Sequence, residues 1–233
     1  MGVSKYRNTS VATLPSFFIP AARLFGRLGF RGKFLAIGGI GTALALTLAA
    51  GLIKMEYADV VFTRGELAGI ALEARTGELL AASQRWRQAT LTGADSQAEV
   101  RQVDSALASL QTAAADSGLG TLAALDAVVQ GWTELRPERA AGSLRARQKL
   151  LDRANAWLSA QLGYIWQIGE RSNLLFDPEP ATYFLADGAV NRLPVLTEKL
   201  EQIALIGGLG VAEGSLTDKA RVSLATSIAS VQE

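Results

Sequence analysis

The run 34-FLAIGGIGTALALTLAAGLI-53 carries no charge over 20 residues. A helix rises 1.5 Å per residue, so this run spans roughly 30 Å, the thickness of a bilayer's hydrocarbon core. Lys33 and Lys54 bracket it. It is apolar on every face, which a helix packed on one side does not need. The expectation is a membrane helix at 34–53, a basic cytoplasmic segment at 1–33 and an extracytoplasmic domain at 54–233. The competing reading is a cleaved signal peptide, whose small-residue cleavage site Ala49, Ala50 and Gly51 mimic.

Charge changes sign at the same place. Lys5, Arg7, Arg23, Arg27, Arg31, Lys33 and Lys54 all precede Glu56, where the first of the 22 acids stands. By the positive-inside rule the N-terminus is cytoplasmic and the rest lies beyond a bacterial inner membrane. The segment 15-PSFFIPAARLFGRLGF-30 is too short and interrupted for a second span; it lies on the inner leaflet or is disordered. Gly38, Gly39, Gly41, Ala45 and Ala49 give the span a small-residue face of the kind that lets two such helices meet, which suits a homodimer.

Chemistry is limited by what is missing. The chain has no Cys and no His, so thiolate sites, disulfides and imidazole bases are excluded. No Lys-Ser/Thr follows the glycines of 207-GGLGVAEG-214, so they are no phosphate loop. The outer part is acidic overall, which argues against nucleic acid as a partner. No cofactor and no metal are expected.

After Glu56 the apolar spacing is helical. The membrane helix continues to about Thr92, with Leu67, Ile70, Ala71, Ala74 and Ala81 as its inner stripe. Gly93 and Asp95 mark a turn and a cap. Val100, Val103, Leu107 and Leu110 form the next stripe, broken at 116-DSGLG-120. Leu122, Leu125, Val128, Val129 and Trp132 follow, as a separate helix or a continuation, ending at Pro137. A long helix is expected from about Ala140 to Phe176, buried along Leu144, Leu151, Ala154, Leu158, Ile165, Ile168 and Ser172. Another runs from Pro180 to Ile206 and breaks at Gly207-Gly208. A last helix is capped by Ser215 or Thr217. The fold class is all-α: an antiparallel bundle of four or five long helices, four-helix-bundle-like and anchored in a membrane.

Trp86, Trp132, Trp157 and Trp166 read as core anchors. Glu198 and Glu201 read as a solvated face. The basic stretches 85-RWR-87 and 136-RPERAAGSLRAR-147 read as solvated faces or as receivers of an anionic ligand, with Arg85 the candidate.

Between two helices stands 172-SNLLFDPEPATYFLADG-188. Asp177 fits a helix N-cap with Pro178 at the first helical position; the alternative places the cap at Glu179 with Pro180 first. Either way the prolines stop the preceding helix. Tyr183 and Asp187 share a helix face, with Asn191 one turn on and Arg192 one residue off the line. Pro194, inside the same helix, predicts a kink. Tyr183, Asp187 and Arg192 are candidate ligand residues; buried hydrogen bonds that fix helix register are the other reading.

The stretch 172-SNLLFDPEPATYFLADGAVNRLPVLTEKL-200 resembles a pattern in bacterial membrane sensors, Ser-Asn-Leu-x-Leu-Asp-Pro-Asp-x-x-x-Tyr-x-Leu-Met-Asp followed by Arg-Leu-Pro. Ser172, Asn173, Leu174, Asp177, Pro178, Tyr183, Leu185, Asp187, Arg192, Leu193 and Pro194 match; Phe176, Glu179, Phe184 and Ala186 depart. The stretch 28-LGFRGKFLAIGGI-40 is similar to the start of the first membrane helix in the same proteins. Their His-Arg-Gly element is absent, and 84-QRWRQ-88 stands near its place.

The resemblance implies the extracytoplasmic sensory module of a methyl-accepting chemotaxis protein, a sensor histidine kinase or a diguanylate cyclase. In those proteins a second membrane helix and an output domain follow, so the chain is expected to be truncated before them. The expected function is signal sensing: a small-molecule or protein ligand shifts the membrane helix. The alternative is a single-span scaffold that binds another envelope protein. An enzyme using carboxylates alone is the remaining class.

Overall fold

Each run with a three-to-four spacing of apolar residues forms a helix in the computed structural model of the chain, which describes residues 26–119, 123–138, 143–176 and 180–232. The architecture is all-α, with six helices packed antiparallel and no strand among the described residues. They are α1 (Phe30–Thr92), α2 (Gln97–Asp116), α3 (Ala123–Leu135), α4 (Leu144–Arg171), a composite α5, and α6 (Asp218–Gln232). α5 consists of Pro180–Ala186, a π-helical turn Asp187–Arg192 and Leu193–Glu213. A short 3₁₀ turn, Leu174–Phe176, follows α4.

The chain divides into two units, one up to Ala58 and one from Asp59 onward. In the first, α1 is long and apolar enough to cross a membrane, and its large apolar side chains from Phe34 to Ile53 are exposed. A signal sequence near an N-terminus meets the same criterion.

In the second unit two apolar clusters form the core. The larger joins Leu79 and Trp86 of α1, Val103 and Leu110 of α2, and Val128 of α3 to Trp157 of α4. Leu205 and Ile206 of α5 close it. The smaller holds Leu80, Leu158, Ile165 and Val190. Trp86, Trp132 and Trp157 are buried together, with Trp132 and Trp157 stacked at 5.1 Å and Trp86 edge-on to both. Trp166 is the exception among the four tryptophans: it lies exposed.

The inner stripe of α1 is not the one its apolar spacing predicts. Leu67, Ile70, Ala71 and Ala74 are exposed and Ala81 is half-buried. The buried line is Leu72, Thr76, Leu79, Ser83, Trp86 and Thr90. Thr76 and Ser83 donate to the carbonyls of Leu72 and Leu79, at 2.8 and 2.7 Å, so their hydroxyls enter the core already satisfied.

Two ends differ from expectation, and the start of α6 matches it. α4 stops at Arg171 rather than Phe176, because Asn173 takes a left-handed conformation at φ 65°. α5 does not break at Gly207-Gly208 but runs to Glu213 and ends on Gly214 at φ 69°. Gly210 makes room there for Leu216, whose Cδ2 would lie 2.5 Å from an added Cβ. Thr217 caps α6, accepting from the Ala220 N–H at 3.2 Å.

The Ser172 corner is locked to α1 by contact. A methyl added to Gly69 would sit 2.2 Å from Ser172 Oγ and 2.3 Å from its Cβ. In an open helix Gly→Ala is stabilising. Here Gly69→Ala is expected to destabilise by about 1–3 kcal/mol through overpacking. Thermal unfolding of the purified chain checks this. In a Ser172→Gly background the same change should no longer lower the Tm, whereas in Ser172→Ala it still should, because the Cβ clash remains.

Candidate functional site

α1 and α5 face each other across an open groove within the second unit. It has two adjoining chambers of about 360 and 420 Å³, and Ile70, Glu73 and Ala189 line both. Leu67 and Leu185 wall the first; Leu80, Ile165 and Leu193 wall the second. Ala74 and Ala81 of α1 line it too, so most of the stripe predicted for the core is groove wall.

Glu73 is the acid that lines both chambers of this largely aliphatic groove. Its Oε1 is buried and meets no donor among the described residues. Loss of water around it pushes the carboxyl up to about 7. Its signal was present in the sequence: Leu67, Ile70, Glu73, Gly77 and Leu80 share one helical line, with an acid at its centre.

The groove's opposite wall contains the π turn. The Leu193 N–H bonds the Gly188 carbonyl, five residues back. That wider turn brings Arg192 over Asp187, where straight α spacing leaves it one residue off. Asp187 accepts from Arg192 Nε at 2.7 Å and from Asn191 Nδ2 at 2.9 Å. The Arg192 hydrogen bond, then that of Asn191, holds the Asp187 carboxyl below its usual range. Pro194 follows in the first turn of the resumed α-helix, so the expected departure from α geometry takes the form of a π turn.

Tyr183 packs edge-on against Phe184 at 5.6 Å and is exposed. The structure therefore brings Asp187, Asn191 and Arg192 together, while Tyr183 stands apart from their hydrogen bonds. Tyr183, Asp187 and Arg192 sit on the helix that walls the groove without lining it. Arg85 is elsewhere: it donates to Gln102 Oε1 on α2 at 3.3 and 3.2 Å. Pro180 opens α5. Asp177 and Pro178 lie outside the described residues, and the proposed cap with them.

A second polar feature lies in the core. Arg87 and Glu198, which the sequence reading put on solvated faces, are 1% and 3% exposed. They pair in two contacts, Nη1 to Oε1 at 2.5 Å and Nη2 to Oε2 at 3.2 Å. Gln84 and Gln202 also donate to the carboxylate, at 3.0 and 2.8 Å, and Arg87 reaches Asn155 Oδ1 at 2.8 Å. Each charge has the other as its counter-ion, and the amides of Gln84, Gln202 and Asn155 complete the cluster, so the pair can be buried.

Among the basic residues of 136–147, Arg136 is engaged by Asp104 at 2.9 Å. Among the described residues no group of three or more acids is placed to hold a metal ion. No family model, no curated protein and no solved structure matches the chain.

Proposed function

We propose that the chain is the extracytoplasmic signal-sensing input module of a bacterial transmembrane receptor, of the methyl-accepting chemotaxis type. The observation that carries this reading is that one helix, Phe30–Thr92, supplies both the apolar span and one wall of the groove. A ligand that favours one arrangement of the groove walls then acts on the helix that enters the membrane. The Ser-Asn-Leu…Asp-Pro…Tyr…Asp…Arg-Leu-Pro stretch supports the same reading by resemblance. The span crosses the inner membrane with the N-terminus inside, and the module works as a homodimer.

Thermal unfolding of the full chain in nanodiscs against a metabolite panel tests it. A stabilising compound should also change disulfide formation between cysteines placed across the dimer in the span, and the native chain has no cysteine to interfere. A chain that no compound stabilises, and that purifies with another envelope protein, is a scaffold instead.

A further inference from the structure

We propose that the groove between α1 and α5 binds an amphipathic organic cation, an ammonium group on an apolar body, with the Glu73 carboxylate as its counter-ion. Three observations converge. The lining is mostly aliphatic, with Leu67, Ile70, Leu185 and Leu193 largely exposed as the structure stands. Exposed apolar surface of this kind in a concave site is what a ligand's carbon body covers. Second, Glu73 Oε1, in the residue common to the two chambers, is withdrawn from water and meets no donor among the described residues. A buried acceptor without a partner carries a desolvation penalty that a charged donor removes. Third, among the described residues no Lys or Arg lines the groove, and the acid common to both chambers is Glu73. The field inside therefore favours a cation and disfavours the carboxylates that Arg-lined sites select.

The polar neighbours are Thr63, Thr182, Gln84 and Thr197, none of which ionises in the working range. The ionisable groups of the lining are thus Glu73 and Glu66, and Glu66 is already engaged by another group. The Glu73 carboxyl, pushed up to about 7, is half ionised near neutrality. Binding of a cation needs the ionised form. Affinity should therefore fall as pH drops through about 7 and level off above it.

This inference names the ligand class for the sensory reading and rests on it, but binding is measured directly. The full chain in nanodiscs of zwitterionic lipid is titrated by calorimetry with phenethylamine, 2-phenylethanol and phenylacetate, with empty discs as reference. The amine alone is expected to bind. Glu73→Gln, a near-isosteric change, should weaken it by at least about tenfold and abolish the pH dependence. Ala189→Phe, which fills the groove without touching charge, should weaken it similarly. Equal binding of all three probes overturns the proposal, as does unchanged affinity in Glu73→Gln. So does absence of amine binding, whether the groove stays empty or a second copy of the chain covers it. If the amine binds but leaves disulfide formation in the span unchanged, the sensory reading fails and this one stands. If another compound stabilises the chain and the amine does not bind, the reverse holds.

Discussion

Glu198→Ala is expected to destabilise the bundle by about 3–5 kcal/mol, because it leaves Arg87 charged and buried without its counter-ion. The guanidinium is 1% exposed and would retain one hydrogen bond, to Asn155 at 2.8 Å. Gln84 and Gln202 would lose their common acceptor as well. Whole-domain stabilities run to about 5–15 kcal/mol, so this is a large share of the total. The informative comparison is the double variant Arg87→Met/Glu198→Leu. Replacing both charges with apolar groups of similar volume is often neutral or stabilising, and should recover most of the loss. Urea unfolding of the full chain gives the three values. A single variant that loses less than about 1 kcal/mol would mean that water reaches the pair, as it does for exposed bridges.

Trp157→Ala should produce a loss of the same order, about 3–5 kcal/mol. The indole stacks on Trp132 and donates from Nε1 to the Val128 carbonyl at 2.8 Å. Gly131 lets it approach: a Cβ there would lie 2.5 Å from Trp157 Cδ1. Removal leaves a void between α3 and α4 that the neighbouring rings cannot fill without leaving their edge-to-face and stacked geometry. Phenylalanine substitutions separate shape from hydrogen bonding. Trp157→Phe loses ring volume and a donor bond, whereas Trp86 Nε1 has no partner among the described residues, so Trp86→Phe loses volume alone. The midpoint of denaturant unfolding should therefore fall further for Trp157→Phe than for Trp86→Phe.

The buried lines that the sequence makes legible are the aliphatic ones. α2 packs through Val103, Leu107 and Leu110, and α4 through Leu151, Leu158, Ile165 and Ile168. α1 departs from its apolar spacing because hydroxyls occupy its buried line, those of Thr76 and Ser83 bonded to their own helix, which hydropathy does not register. The exposed leucines and alanines beside it then read as the core. Arg87 and Glu198 were misread for a different reason. A charge is assigned to solvent unless its partner is known, and here the partner lies on another helix, 111 residues away. Ser172 was placed correctly as buried, but its purpose was not visible. The side chain fits against Gly69, a contact that only the tertiary structure defines. Glu73 was legible in principle, since an acid flanked by Ile70 and Gly77 is conspicuous on a helical line. Whether such an acid faces solvent, a core or a groove depends on what α5 brings opposite.

A π turn is an α-helix with one residue too many. Each residue of an α-helix advances the side chains by about 100°, so the extra one resets the angular phase of all that follows. In α5 the reset falls between Asp187 and Arg192, just before the segment that carries Glu198, Leu205 and Ile206 inward. The wall of the groove and the aim of the buried carboxylate toward Arg87 are thereby set by the same six residues. Were the surplus residue to migrate along the helix, or be deleted, the helix on one side of it would rotate by roughly a quarter turn relative to the other. Such a slip is discrete, since an intermediate phase leaves backbone donors unpaired. The groove and the core thus share one setting, the angular phase that these six residues impose on α5.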